Sequence, residues 1–182
     1  MLAELNQART DPRAYARHLE AMLPWYQGTT MRQPGTNVVV RTQEGGAAVR
    51  EAIRVLRATS PLHELTASRG MSLAARDHVR DQERSGGVGH SGRDGSSAAD
   101  RVNRYGSWSL TLSENIAYGP PTAREVVIGL IVDDGVPGRG HRRNILDPMI
   151  AFAGIACGTH PEYRRMCVIK HAGGYADGVR AK

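Results

Sequence analysis

The sequence predicts an α+β fold, and three observations carry that reading. Apolar residues recur at helical spacing in several segments before residue 135. The last third instead holds two β-prone apolar runs around a short turn, which reads as a hairpin. At 182 residues the chain is most simply one domain, 1–182, large enough to bury a real core.

Taken in order, Leu2, Leu5 and Ala8, then Tyr15, Leu19 and Leu23, mark two helical pieces that meet at Thr10-Asp11-Pro12. Asp11 suits a helix cap and Pro12 the first turn. Residues 24–35 are rich in turn formers, and Asn37 to Arg41 read as a short strand. Glu44 to Thr59 is a helix with Val49, Ile53 and Leu56 turned inward, stopped by Ser60-Pro61. The clearest helix runs from Glu64 to Ser85 and ends at Gly86-Gly87. A short helix is expected over Ala98 to Tyr105, and extended chain around Glu114. Another helix spans Ala123 to Asp133 after Pro120-Pro121-Thr122. The hairpin then occupies Ala151 to Ala172.

Composition narrows the function. With 40% hydrophobic residues and a mean hydropathy of −0.41, the chain is ordinary for a soluble globular protein. No apolar run approaches the roughly 18 residues of a membrane span, so no transmembrane segment is expected. Met1 leads straight into a helix pattern without a basic and apolar leader, so no signal peptide is expected in this sequence. Twenty-four basic against 18 acidic residues give +6. Such a surface suits anionic polymers or headgroups. Aromatic residues are only 5% and no basic arm occurs, which argues against nucleic acid.

Cys157 and Cys167 flank the hairpin turn. They read either as a cross-strand disulfide of an oxidising compartment or as two core thiols. Without a C-x-x-C spacing, neither a zinc knuckle nor a thioredoxin motif is expected.

The chemistry-bearing residues lie in three short runs, Gly89-His90-Ser91, Ser113-Glu114-Asn115 and Asp133-Asp134-Gly135 to Gly140-His141. Each holds ligand-grade or acid/base side chains among turn residues, as at the mouth of a cleft. Glu114 sits among apolar residues, so burial and a partner are expected. Asp133 and Asp134 close a helix where acids are disfavoured, which calls for a local compensating cation or metal. His141 is expected in a glycine-flanked turn. His78, within the clearest helix, reads as a packed helix histidine rather than a ligand.

These runs resemble the CAP superfamily, also called SCP domains, in its prokaryotic-type branch. The resemblance rests on Leu5-Asn6-Gln7-Ala8-Arg9, Leu73 to His78, Gly89-His90-Ser91, Ser113-Glu114-Asn115-Ile116-Ala117 and Gly140-His141-Arg142-Arg143-Asn144. It implies a three-layer α-β-α sandwich with a central, mainly antiparallel sheet and an extracytoplasmic or secreted location. It also implies a cleft lined by His90, Glu114, Asp133 (or Asp134) and His141. His90 and His141 would then be the ligands of a divalent metal, Zn²⁺ first. Leu130 stands where the family often has Trp. The aromatic-rich signature of eukaryotic members after the second histidine is absent.

Two neutral imidazoles with carboxylates suit Zn²⁺ with an open position. No H-E-x-x-H motif points to a metalloprotease, and no G-x-S-x-G elbow accompanies Ser91. The expectation is a binding domain for a metal and for a sterol, another lipid or an anionic cell-envelope ligand. The alternative is a peptidase or esterase using the same four residues.

Overall fold

The computed structural model describes residues 1–35, 37 and 39–178. Its helices are α1 (Leu2–Thr10), α2 (Pro12–Glu20), α3 (Gly46–Ala58), α4 (Arg69–Ser85), α5 (Ala98–Asn103), α6 (Ala123–Val132) and α7 (Gly140–Leu146). Its strands are β1 (Tyr26–Gln27), β2 (Thr30–Arg32), β3 (Val39–Arg41), β4 (Thr66–Ala67), β5 (Gly106–Tyr118), β6 (Phe152–His160) and β7 (Arg164–Asp177).

The central sheet has the order β4-β6-β7-β5. Only the two-residue β4 runs parallel to its neighbour; β6, β7 and β5 are antiparallel. Alternation along β7 divides the molecule into layers. Met166, Val168 and Ala172 meet Ala75, Val79, Met71 and Ala74 of α4 and Val102 of α5. Cys167 and Ile169 join the larger core built from α1, α2, α3, α6 and α7. The result is the expected α-β-α sandwich, with β5 at the edge of its sheet.

Local chemistry explains the element ends. The Asp11 carboxylate accepts from Ala14 N, with Pro12 in the first turn of α2. Ser97 with Asp100 and Thr122 with Glu125 form capping boxes at α5 and α6. The strand at Asn37 to Arg41 is found over Val39–Arg41; Val38 lies outside the described residues. Residues 24–35, read as turns, carry β1 and β2, which form a separate small antiparallel sheet with β3 in the order β1-β2-β3. The helix expected from Glu64 begins later. Ser68 caps it by accepting from Met71 N, and Thr66 and Ala67 pair with β6 instead.

Two features fix the layers together. Gly154 of β6 packs so close to α4 that a Cβ would collide with the Met71 backbone. Arg9 of α1 is fully buried. Its guanidinium donates to the carbonyls of His63 (3.1 Å), Ile145 (2.7 Å), Asp147 (3.0 Å) and Ile150 (2.9 Å). A buried cation whose donors are so fully occupied is a structural clamp.

Candidate functional site

His90 follows α4 in a loop whose backbone is held from several directions. Tyr118 Oη accepts from Gly89 N at 2.8 Å. The Gly89 carbonyl accepts from Gln82 Nε2 at 2.6 Å and lies 2.8 Å from His78 Nε2. Arg101 donates to the His90 carbonyl at 2.8 Å. Burial lowers the pKa of His78, which keeps its ring neutral. His78 thus supports the loop before His90, in keeping with its reading as a packed histidine.

The His90 ring is set by Glu114, whose carboxylate lies 2.8 Å from Nδ1. Glu114 projects from β5 into the α4/α5 layer, opposite Lys170 of β7. Lys170 Nζ forms a tight ion pair with it, and Arg101 approaches both carboxylate oxygens at 3.4 Å. Burial by itself would raise the Glu114 pKa. The His90 hydrogen bond and the charges of Lys170 and Arg101 outweigh it and hold the group at about 2. Burial in turn pulls Lys170 down to about 8 against the attraction of Glu114, so both stay ionised at neutral pH.

The second pair is built on the other face of the same strand. Asn115 accepts from Asn144 Nδ2 at 2.7 Å and donates to the His141 carbonyl at 3.1 Å, tying α7 to β5. Asp133 ends α6 in the left-handed conformation, with φ 55°. Its carboxylate accepts from His141 N at 2.9 Å and lies 2.7 Å from His141 Nδ1. The acid at a helix C-terminus is therefore compensated by the backbone and ring of the next helix. His141 sits in the first turn of α7, not in a free turn, because Asp133 satisfies its N–H. Asp134 points elsewhere and accepts from Gln43 N (2.6 Å) and Glu44 N (2.8 Å).

Behind this pair, Arg139 bridges Glu44 and Glu51 and donates to the Asp133 carbonyl at 2.7 Å. Arg142 donates to the carbonyls of Ile131 and Val132 and pairs with Glu51. Arg101, Lys170, Asn115, Arg139 and Arg142 were not singled out from sequence. Asn115, Arg139 and Arg142 stood inside recognised runs without being assigned a part; Arg101 and Lys170 carry no local signal.

The structure therefore makes two His–carboxylate pairs, His90–Glu114 and His141–Asp133, which reach the edge strand from opposite faces of the sheet. Both acids are 2% exposed at the side chain, whereas His90 is 55% and His141 26% exposed. Each carboxylate holds Nδ1 and leaves Nε2 for a ligand, the arrangement common behind metal-bound imidazoles. Among the described residues no group of three or more His, Cys, Asp or Glu is placed to hold a metal ion. Each pair offers one imidazole and one carboxylate, fewer than the three or four protein ligands of a zinc site. Cys157 and Cys167, directly opposite each other on β6 and β7, form a disulfide.

The three-layer sandwich with a mainly antiparallel sheet is the fold that the resemblance to SCP domains implies. The chain belongs to the CAP family (cysteine-rich secretory protein family), whose model matches residues 5–170. Comparison with curated proteins gives no match. Two solved structures share the fold. One is an extracellular protein containing an SCP domain from Bacillus anthracis, with 19% identity and TM-score 0.50 over 61% of this chain and 34% of that one. The other is an outer surface protein from Borrelia burgdorferi, with 14% identity and TM-score 0.52 over 61% of this chain and 78% of that one. This chain spans about a third of the Bacillus protein. No helix among the described residues is long and apolar enough to cross a membrane.

Proposed function

We propose that this protein is an extracytoplasmic binding domain in which His90 and His141 present Nε2 to an exchangeable ligand. The contrast between buried acids and solvent-facing imidazoles carries the reading. A cluster serving only itself would bury its histidines with its carboxylates. The Cys157–Cys167 disulfide suits an oxidising compartment, and both similar structures are described as extracellular or outer-surface proteins. The ligands proposed are a divalent cation, Zn²⁺ first, together with a sterol, another lipid or an anionic cell-envelope component.

Zn²⁺, when bound, would supply Lewis acidity and an exchangeable water. Glu114 and Asp133 hold the Nδ1 protons and so fix the tautomer, while Lys170 and Arg101 keep Glu114 ionised for that task. Calorimetric titration of Zn²⁺ into chelator-stripped protein tests the metal. Saturable binding lost in both His90→Ala and His141→Ala is expected. Binding that survives both changes, or no binding at all, would remove the metal from the proposal.

The His90–Glu114 dyad also has the form of an oriented general base. A hydrolase reading predicts turnover of a peptide or ester that vanishes in His90→Ala and persists in a remote surface variant. Among the described residues no hydroxyl hydrogen-bonds either imidazole, so the binding reading stands first.

A further inference from the structure

Arg139 stands where a glycine would be easier. It lies between Gly138 and Gly140, and its backbone is left-handed, with φ 53°. Among the described residues four non-glycine positions share that conformation. Two of them, Asp133 and Arg139, are the two ends of the connection between α6 and α7.

The side chain accounts for the choice. A guanidinium carries five N–H donors, and Arg139 engages all of them. Nε donates to Glu51 Oε1 at 3.2 Å. Nη1 donates to Glu44 Oε1 at 2.6 Å and to the Asp133 carbonyl at 2.7 Å. Nη2 donates to Glu44 Oε2 at 2.6 Å and to Glu51 Oε2 at 2.7 Å. Glu44 also accepts from Gly135 N at 2.8 Å, so the carboxylates of α3 and of the residue just before its start hold the connection at its middle and at its end. The three donors of a lysine ammonium could not serve this set.

The bond to the Asp133 carbonyl links this network to the site. It fixes the peptide unit of the residue whose carboxylate receives His141 N at 2.9 Å and lies 2.7 Å from His141 Nδ1. His90 is oriented from elsewhere, through Glu114 with Lys170 and Arg101. We infer that Arg139 is a positioning residue for His141, acting through the Asp133 carbonyl, so that Glu44 and Glu51 govern where His141 Nε2 points. The inference rests on the reading of His141 as a ligand-presenting imidazole, and it gives the two histidines separate supports.

Nitrogen NMR of the two imidazoles at alkaline pH tests this without any ligand. In the wild type both rings should carry the proton on Nδ1. Glycine suits the backbone at position 139, so Arg139→Gly removes the donors without adding strain. Its His141 signals should move towards the mixed tautomers of a free imidazole, while those of His90 stay. Glu44→Gln/Glu51→Gln, which leaves Arg139 present but unaimed, should move them the same way. Arg143→Ala, which loses the same charge one turn along α7 at an exposed position, should not. Zn²⁺ titration adds a second reading. Arg139→Gly should weaken binding by about tenfold or more, and Arg139→Gly/Asp133→Asn should lose no more than Asp133→Asn alone. Absence of Zn²⁺ binding in the wild type would remove the metal from the proposed function, while the tautomer still decides the part of Arg139. Unchanged His141 signals in either network variant would overturn the inference. So would equal changes at His90, the same change in Arg143→Ala, or a further loss of affinity in the double variant. Thermal melts check folding. If one network variant does not fold, the other decides; unfolding of both would make the network purely structural and overturn the inference.

Discussion

Glu114 concentrates the electrostatics of the site in one residue. Its carboxylate is buried with two cations, Lys170 and Arg101, and orients His90 from below. Removing it leaves both cations without a counter-charge in the interior. Glu114→Gln should therefore cost about 3–5 kcal/mol, read as a lower urea midpoint. The pH dependence follows from the depressed pKa. The group is ionised in the folded protein down to about 2 and in the unfolded chain only above its ordinary 4.5. Its stabilisation is thus complete above about 4.5 and is lost as pH falls towards 2. Acid unfolding of the wild type should steepen in that window, and the Gln variant should show a flatter limb there. An unchanged acid limb would mean that another carboxylate governs acid stability. From sequence, Glu114 was legible because an acid stood in an apolar run. Its two cations were not, since nothing near position 101 or 170 marks their convergence across layers.

At the level of elements, the sequence pattern located most helices because capping chemistry and apolar spacing agree there. It misplaced the start of α4 by several residues, since Glu64 and Leu65 continue a helical pattern that β6 overrides through backbone pairing. It missed β1 and β2, which are two and three residues long, too short to show an alternating pattern, and which pair with each other and, through β2, with β3. It also left Asp133 and Asp134 open, because a one-residue shift at a helix end changes direction without changing composition. Gly154 gives a direct test of how α4 rests on the sheet. Any Cβ there meets the backbone of Met71, which cannot turn aside as a side chain can. Gly154→Ala should destabilise by about 1–3 kcal/mol through overpacking. Hydrogen exchange should rise along α4 more than along α3, which lies in the other layer; a uniform rise would argue against a local cause.

For the whole molecule, the layered architecture was legible only through the ordered set of short runs, since periodicity names elements but not which face meets which. The buried Arg9 shows what periodicity leaves out. It lies one position past the apolar Ala8 of the first helix, with no sequence mark of burial, yet it joins α1 to carbonyls at Ile145, Asp147 and Ile150. The first ten residues thus take their final place only after the chain beyond residue 150 is available, and closing so long a loop is slow. During synthesis the opening helix can meet α2 and residues 62–65 early, but Arg9 lacks most of its carbonyl partners until residues 145–150 have emerged. Nascent chains arrested before residue 145 should be cut readily by protease within α1, whereas full-length chains should not. The domain is, in that sense, closed by residues 145–150 around its first ten.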